Sequence, residues 1–327
     1  MKKAILPAMI AALLATSAQA ATVYDADGTT ADVYGRMQFN ITDDGTGSTD
    51  GVGSARLGFK AASPINSNVN AIAKGEWQIA AESSDEEKFN VRELYAGFDS
   101  AEMGSLVFGQ TYTAFYQTIV VTDMYYSWGW APFSGIDPYR QEGLAVYSGE
   151  FSGVSVDASY QFQNTKFANP LEDDDKTTLD ATTVLDDAYA LSLGYDIADV
   201  KVSAGYLLEQ FDTLEDKKNY ALSASYAMND LYLAAIFAES KQDVAGDDDN
   251  DLRAYDLFAS YNVVDTTSVY GGYGFQEKTA TDEDTVDQVT LGAQYAFNNQ
   301  LRTWIEYEAN MITDADDRVT VALQYNF

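Results

Sequence analysis

The sequence predicts an all-β fold: a transmembrane antiparallel up-and-down β-barrel of about 16 strands, with its third loop folded inward. Three observations predict it. Segments of about ten residues alternate apolar and polar side chains almost throughout, the period of a strand with one apolar and one wet face. Tight turns and longer acidic loops take turns in joining those segments. The chain of 327 residues opens on an export-type leader yet contains 0 cysteines, so a large cooperative architecture has to replace disulfide staples.

The leader, MKKAILPAMIAALLATSAQA, sets Lys2 and Lys3 before an apolar stretch from Ala4 to about Ala15 and closes on Ala18-Gln19-Ala20. That is the pattern of a cleaved secretory signal peptide. Its apolar run is shorter than the ~20 residues of a helical span. The expected organisation is a signal peptide over 1–20 and one barrel domain over 21–327.

Composition excludes whole classes of function. With 0 histidines the commonest general base and metal ligand is missing. Removing Lys2 and Lys3 from the 19 basic residues leaves 17 against 51 acidic ones, a net of −34. Phosphate backbones need a basic surface, so nucleic acid is excluded as a partner. The 23 tyrosines and 16 phenylalanines against 5 prolines favour strands. A mean hydropathy of −0.24 is compatible with a barrel, whose lipid-facing and water-facing residues cancel in any window.

Taken in order, DVYGRMQFNI sets Val33, Met37, Phe39 and Ile41 against Asp32, Tyr34, Arg36, Gln38 and Asn40. In SARLGFKA, Leu57 and Phe59 oppose Ser54, Arg56 and Lys60. VSVDASYQF, QVTLGAQYAF and the closing RVTVALQYNF alternate in the same way. LRTWIEYEA does so too, although Trp304 falls on its polar face beside Arg302 and Glu306. Two segments are less clean: 89–98, where Glu93 has apolar neighbours, and 231–238, apolar on both faces.

The tight connections are 63–68, 99–104, 150–153, 196–199, 228–230 and 298–300; the long acidic ones are 42–51, 82–87, 169–178, 245–251, 281–284 and 314–317. Bacterial transmembrane barrels combine an even strand number with short turns at one end and long loops at the other. A soluble sandwich would use strands of about five to six residues, half the length seen here. In a bilayer every backbone group must be paired, so the last strand is expected to close against the first, with Tyr325 and Phe327 in an interfacial aromatic girdle.

One connection breaks the pattern. Residues 114–139, AFYQTIVVTDMYYSWGWAPFSGIDPY, are aromatic rather than acidic. A loop this long is functional or disordered, and this one is too apolar for disorder. Tyr125, Tyr126, Trp128, Trp130 and Phe133 are expected to fold it inward against the wall and narrow the lumen.

The chain resembles the general, non-specific trimeric porins of Gram-negative outer membranes. The stretches that carry the resemblance are DADGTTADVYGRMQF, SARLGFKAASPINSNVNA, VRELYAGF, GSLVFGQTY, VTDMYYSWG and the terminal YNF. The resemblance implies a 16-stranded, homotrimeric, water-filled channel constricted by its third loop, with no cofactor and no enzymatic activity. It implies a ladder of Arg36, Arg56, Arg92 and Arg140 facing Asp123 on the loop. It also makes Phe327 the recognition signal of the barrel-assembly machinery, and outer-membrane lipid, lipopolysaccharide and small hydrophilic solutes the remaining partners. Opposed charges across the narrowest gap would order water and orient dipolar solutes. The acidic loops imply a mild preference for cations.

The chain departs from that family's pattern in two places. Ser127, in YSWGW, stands where a second loop acid lies, Gln110 stands where a further arginine often sits, and Asp137 is a candidate for the missing acid. A sugar-specific channel with an aromatic slide over Trp128, Trp130 and Trp304 is the nearer alternative. A barrel-type adhesin or enzyme is the more distant one. Without histidine the usual hydrolytic machinery is absent, and DDDND lacks the glycine and the terminal glutamate of an EF-hand loop.

Overall fold

The structure, a computed structural model, describes residues 20–80, 89–163, 185–212, 214–242 and 250–327. The leader up to residue 19, the acidic stretches 82–87 and 169–178, and most of 245–251 lie outside the described residues. Seventeen strands follow in order: β1 Ala21–Ala26, β2 Thr29–Asp43, β3 Thr49–Pro64, β4 Asn70–Ala80, β5 Phe89–Ser100 and β6 Gly104–Tyr112. After the third loop come β7 Arg140–Phe151, β8 Val154–Gln161, β9 Leu185–Ile197, β10 Val200–Phe211 and β11 Lys217–Met228. The chain finishes with β12 Leu231–Lys241, β13 Leu252–Val264, β14 Thr267–Lys278, β15 Glu283–Ala296, β16 Leu301–Asn310 and β17 Arg318–Asn326.

Strands β2 to β17 pair each with the next, all antiparallel, and β17 returns to β2, so 16 strands close a ring. Closure removes the open edge that hydrocarbon would not tolerate. Among the described residues no helix is long and apolar enough to cross a membrane; the crossing is made by strands. The outward row is apolar. Leu191, Leu193, Leu222, Leu257, Leu291, Ile305, Val321 and Leu323 are all exposed. Rings flank that band: Tyr189, Tyr220, Tyr255 and Tyr307 towards the long loops, and Tyr195, Tyr261, Tyr295 and Tyr325 towards the short turns. Two aromatic girdles around an aliphatic band are the form a barrel takes across a bilayer.

β1 is the strand the alternation did not reveal. Asp27 and Gly28 both have positive φ, 53° and 77°, as the two-residue turn of a tight hairpin requires. β1 therefore folds back on β2, Ala21 opposite Val33. Further along the same edge of β2, Asn326 lies opposite Arg36, and Phe327 exchanges two backbone hydrogen bonds with Gly35, of 2.9 and 3.0 Å. β17 and β1 thus occupy one strand position head to tail.

The two irregular segments have structural causes. Between β4 and β5 the register shifts after Glu76, which pairs with Glu93 while Trp77 pairs with Val91. Arg92 is the extra residue of this bulge. A bulge lets neighbouring side chains leave strict alternation, and Arg92 and Glu93 both turn inward while Val91 and Leu94 face out. The segment 231–238 is apolar on both faces because its inward residues, Tyr232, Ala234, Ile236 and Ala238, are covered by the third loop.

Candidate pore constriction

The third loop runs from residue 113 to 139 inside the barrel. A single helical turn, α1 (Tyr116–Ile119), and short 3-10 turns at Val120–Thr122 and Ala131–Phe133 give it shape. Phe115, Ile119, Phe133 and Ile136 are each no more than 1% exposed and pack against the inward faces of β9 to β14. Each buried side chain of this size contributes about 1.5–3 kcal/mol, enough to hold the loop against the wall.

A second set of contacts fixes its tip. Glu306, on β16, accepts backbone N–H bonds from Tyr126 (2.7 Å), Ser127 (2.9 Å) and Trp128 (3.2 Å), and a hydroxyl bond from Tyr270 (2.8 Å). The Trp304 indole N–H donates to Ser127 Oγ at 2.9 Å, and its ring stacks on Tyr126 with centroids 5.1 Å apart. The tryptophan on a polar face is therefore a docking surface for the loop. Tyr125 meets Phe258 edge-on at 5.0 Å, and Trp130 packs against Tyr139 at 5.0 Å and Phe133 at 5.5 Å. Trp128 lies 4.6 Å beneath the Arg318 guanidinium. An aromatic slide is interrupted at Trp304, which is 2% exposed.

Wall and loop enclose a cavity of about 360 Å³ lined by Arg36, Arg56 and Arg92 from the wall and by Asp123 and residues 124–130 from the loop. Three of the four expected arginines thus share one space with the expected acid. Arg140 does not line it. Its guanidinium sits 4.1 Å over the Tyr139 ring and donates to Tyr112 Oη at 2.8 Å. Its charge still acts on Asp123. Asp123 accepts the Tyr116 hydroxyl at 2.9 Å. Burial pushes its carboxyl above the usual carboxylate range, against the pull of that hydroxyl and of Arg140, Arg92 and Arg56.

The ladder is not uniform. Arg92 Nε lies 2.6 Å from Glu76 Oε1, and Tyr34 Oη donates to Glu76 Oε2 at 3.0 Å. Below this pair Lys74 meets Glu93 at 2.6 Å. Arg56 Nε donates to the neutral Gln78 at 2.8 Å. Among the described residues Arg36 and Arg56 have no carboxylate within salt-bridge reach, so they supply the net positive charge. Sequence analysis missed Glu76; the signal was its place in the inward row Lys74, Glu76, Gln78.

Asp137 does not reach the cavity. It is 1% exposed, accepts the Tyr139 N–H at 3.0 Å, and burial, with Glu209 nearby, pushes its carboxyl up to about 8. An unfolded aspartate titrates near 3.9, so between about pH 4 and 8 the docked loop holds a proton that the undocked chain releases. Docking should therefore weaken as pH rises through that window and lose this contribution above about 8. Protease sensitivity of the loop measured from pH 5 to 9 should rise in the parent and stay flat in Asp137→Asn. A flat profile in both would remove Asp137 from the account.

Comparison with known proteins agrees with this architecture. Outer membrane porin PhoE of Enterobacter cloacae is 28% identical over the whole of both chains, and outer membrane porin N of Escherichia coli is 26% identical, also over both whole chains. Among solved structures, Salmonella typhi OmpF in complex with daunomycin superposes with a TM-score of 0.80 at 21% identity, covering 94% of this chain and 100% of that one. OmpT of Vibrio cholerae in its trimer form superposes at 0.73 with 19% identity, covering 92% and 100%. A family model described as Gram-negative porin matches residues 8–316. With a closed 16-stranded ring, an inward third loop and a family match over most of its length, the chain belongs to the Gram-negative porins and forms a diffusion channel of the outer membrane.

Proposed function

We propose that this porin is a non-specific, mildly cation-preferring pore for ions and small hydrophilic solutes, with Arg36, Arg56 and Arg92 opposing Asp123 across the constriction. The observation that carries the reading is the cavity these four side chains share. A positive wall facing a negative loop in a narrow, water-filled gap sets a transverse field. Acidic outer loops concentrate cations at the mouth, an effect screened over about 8 Å at physiological salt. Arg36 and Arg56 oppose it, so the preference is mild and largest in dilute salt. The channel has no catalytic role in this reading.

Replacing Arg56 by alanine is expected to raise cation preference and speed the passage of larger neutral sugars. Asp123→Asn, nearly isosteric, should shift selectivity the other way with little change in size limit. Reversal potentials in a salt gradient, paired with liposome uptake of a sugar series, read both. Shifts in the same direction, or no shift in either variant, would mean that the two residues do not face each other across the pore.

The working unit in this reading is a homotrimer, as the Vibrio cholerae relative was solved. The exposed outward residues of β3 and β5, Leu57, Phe59, Val91, Leu94 and Phe98, suit subunit packing. Unboiled samples should migrate as heat-resistant trimers with strand-type circular dichroism; a monomer under all conditions would count against it. The signal peptide is cleaved after Ala20 in this reading.

A further inference from the structure

Behind the third loop a second cavity, of about 120 Å³, lies against the wall of β8, β9 and β10. Its floor is polar. Inward alternation on three adjacent strands brings Ser155 and Asp157 of β8, Ser192 of β9, and Lys201 and Ser203 of β10 into one patch. Ser155 and Lys201 are each the second residue of their strand, beside the tight turns. Gly194 stands between Ser155 and Ser203. A Cβ there would come within 2.3 Å of Ser155 Oγ and 3.0 Å of Ser203 Oγ and Lys201 Cε, so glycine keeps the floor open. The roof is apolar: Val120, Val121 and Met124 of the loop cover it. Two bonds of 2.7 Å hold that roof down, from Tyr232 Oη to the Val121 carbonyl and between the Thr118 and Ser192 hydroxyls.

The two charges on this floor are uncommitted. Asp157 and Lys201 are near enough for their charges to act on each other, yet among the described residues neither has an ion-pair partner. Asp157 takes a hydroxyl bond from Ser148, its cross-strand neighbour on β7, and keeps acceptor capacity to spare. Asp196, the cross-strand neighbour of Lys201, also stays outside ion-pair reach of it. Both side chains are partly buried, where a charge without a counter-charge is costly. Met124 lines this cavity and also the one shared by Arg36, Arg56, Arg92 and Asp123. A flexible thioether side chain is therefore the partition between the two, and a solute leaving the constriction meets this cavity next.

We propose that this cavity binds small aliphatic α-amino acids as zwitterions, with the ammonium on Asp157, the carboxylate on Lys201 and the side chain under Val120, Val121 and Met124. Size and charge select that class. At ~30 Å³ per liquid water the space equals about four waters, enough for one small amino acid and too little for a disaccharide. A neutral solute would leave both charges without a partner. A lone carboxylate would come to rest beside Asp157, and a lone ammonium beside Lys201. Charge-assisted hydrogen bonds are the strong ones, and a zwitterion makes both kinds at once. The serine hydroxyls donate or accept, so they serve either end. The cavity depends on the docked loop and not on the selectivity proposed for the constriction.

Saturation-transfer NMR on the detergent-solubilised porin at neutral pH tests it, with L-alanine, propionate, ethylamine and L-tryptophan as probes. L-Alanine is expected to bind in the millimolar range, about tenfold or more tightly than the other three, the scale of one charge-assisted bond. Asp157→Asn and Lys201→Gln should each weaken L-alanine by a similar factor. Asp123→Asn should leave its binding unchanged, which separates this cavity from the constriction. Reversal potentials of the same samples test the proposed selectivity independently. Lys201 stands at the rim, so where Asp157→Asn fails to assemble, Lys201→Gln decides alone. No L-alanine signal in the parent, equal binding of all four probes, undiminished binding in Lys201→Gln, or loss of binding in Asp123→Asn would overturn the proposal.

Discussion

Replacing Glu306 by alanine is expected to free the tip of the third loop and enlarge the pore. Glu306 is fully buried and accepts four bonds at once, from the N–H groups of Tyr126, Ser127 and Trp128 and the hydroxyl of Tyr270. Without the carboxylate these donors face a dry pocket. A buried donor left unpaired costs about 1–3 kcal/mol, so the loss on docking is at least about 2 kcal/mol even if two donors recover partners. The barrel ladder is untouched, so assembly should survive. Single-channel recordings should show larger and noisier steps, and protease should reach residues 124–130. Glu306→Gln should fall between, because one oxygen keeps its bonds while the amide NH₂ meets two N–H donors. Parental conductance and protection in the alanine variant would show that apolar packing alone holds the loop.

Ending the chain one residue early, without Phe327, is expected to lower the yield of assembled trimer by about an order of magnitude or more while export continues. Phe327 exchanges both backbone bonds with Gly35, and its ring lies over that glycine. A Cβ at position 35 would come within 2.5 Å of Phe327 Cζ and 2.5 Å of the Arg56 carbonyl oxygen, which explains why glycine stands there. Two ladder bonds at ~1 kcal/mol each and the contact of a large ring, worth up to about 3 kcal/mol, are lost where the barrel closes. The resemblance adds a second loss, the signal read during assembly. The two separate in Gly35→Val, which displaces the ring but keeps the terminal residue: its trimer should form, with a lowered melting temperature. Normal yield in the truncated variant would argue against both roles.

Particular segments show how far the sequence reaches. Period-two alternation places Arg36 and Arg56 on the inward rows of β2 and β3 directly, and both line the cavity that Asp123 also lines. Arg92 was named through resemblance alone, because 89–98 does not alternate cleanly; the bulge opposite Glu76 that turns it inward belongs to the pairing with β4. The Asp27-Gly28 turn went unread in the sequence, and β1 is too short, at 6 residues, to register as a spanning strand. Trp304 and the doubly apolar 231–238 looked like faults in the pattern. They are the wall's half of the contact with the third loop.

The alternation, the loop lengths and the apolar third loop by themselves determined a closed membrane barrel with something folded inside it. They suffice because a strand with a lipid face and a water face has no other arrangement in which every backbone group is paired. Which charges meet in the lumen was decided only by the tertiary structure. Glu76 neutralising Arg92, Arg140 bonded to Tyr112 and Glu306 gathering the loop's N–H groups each join residues on different strands or on strand and loop. Strand register and loop docking bring them together, and neither leaves a period in the sequence.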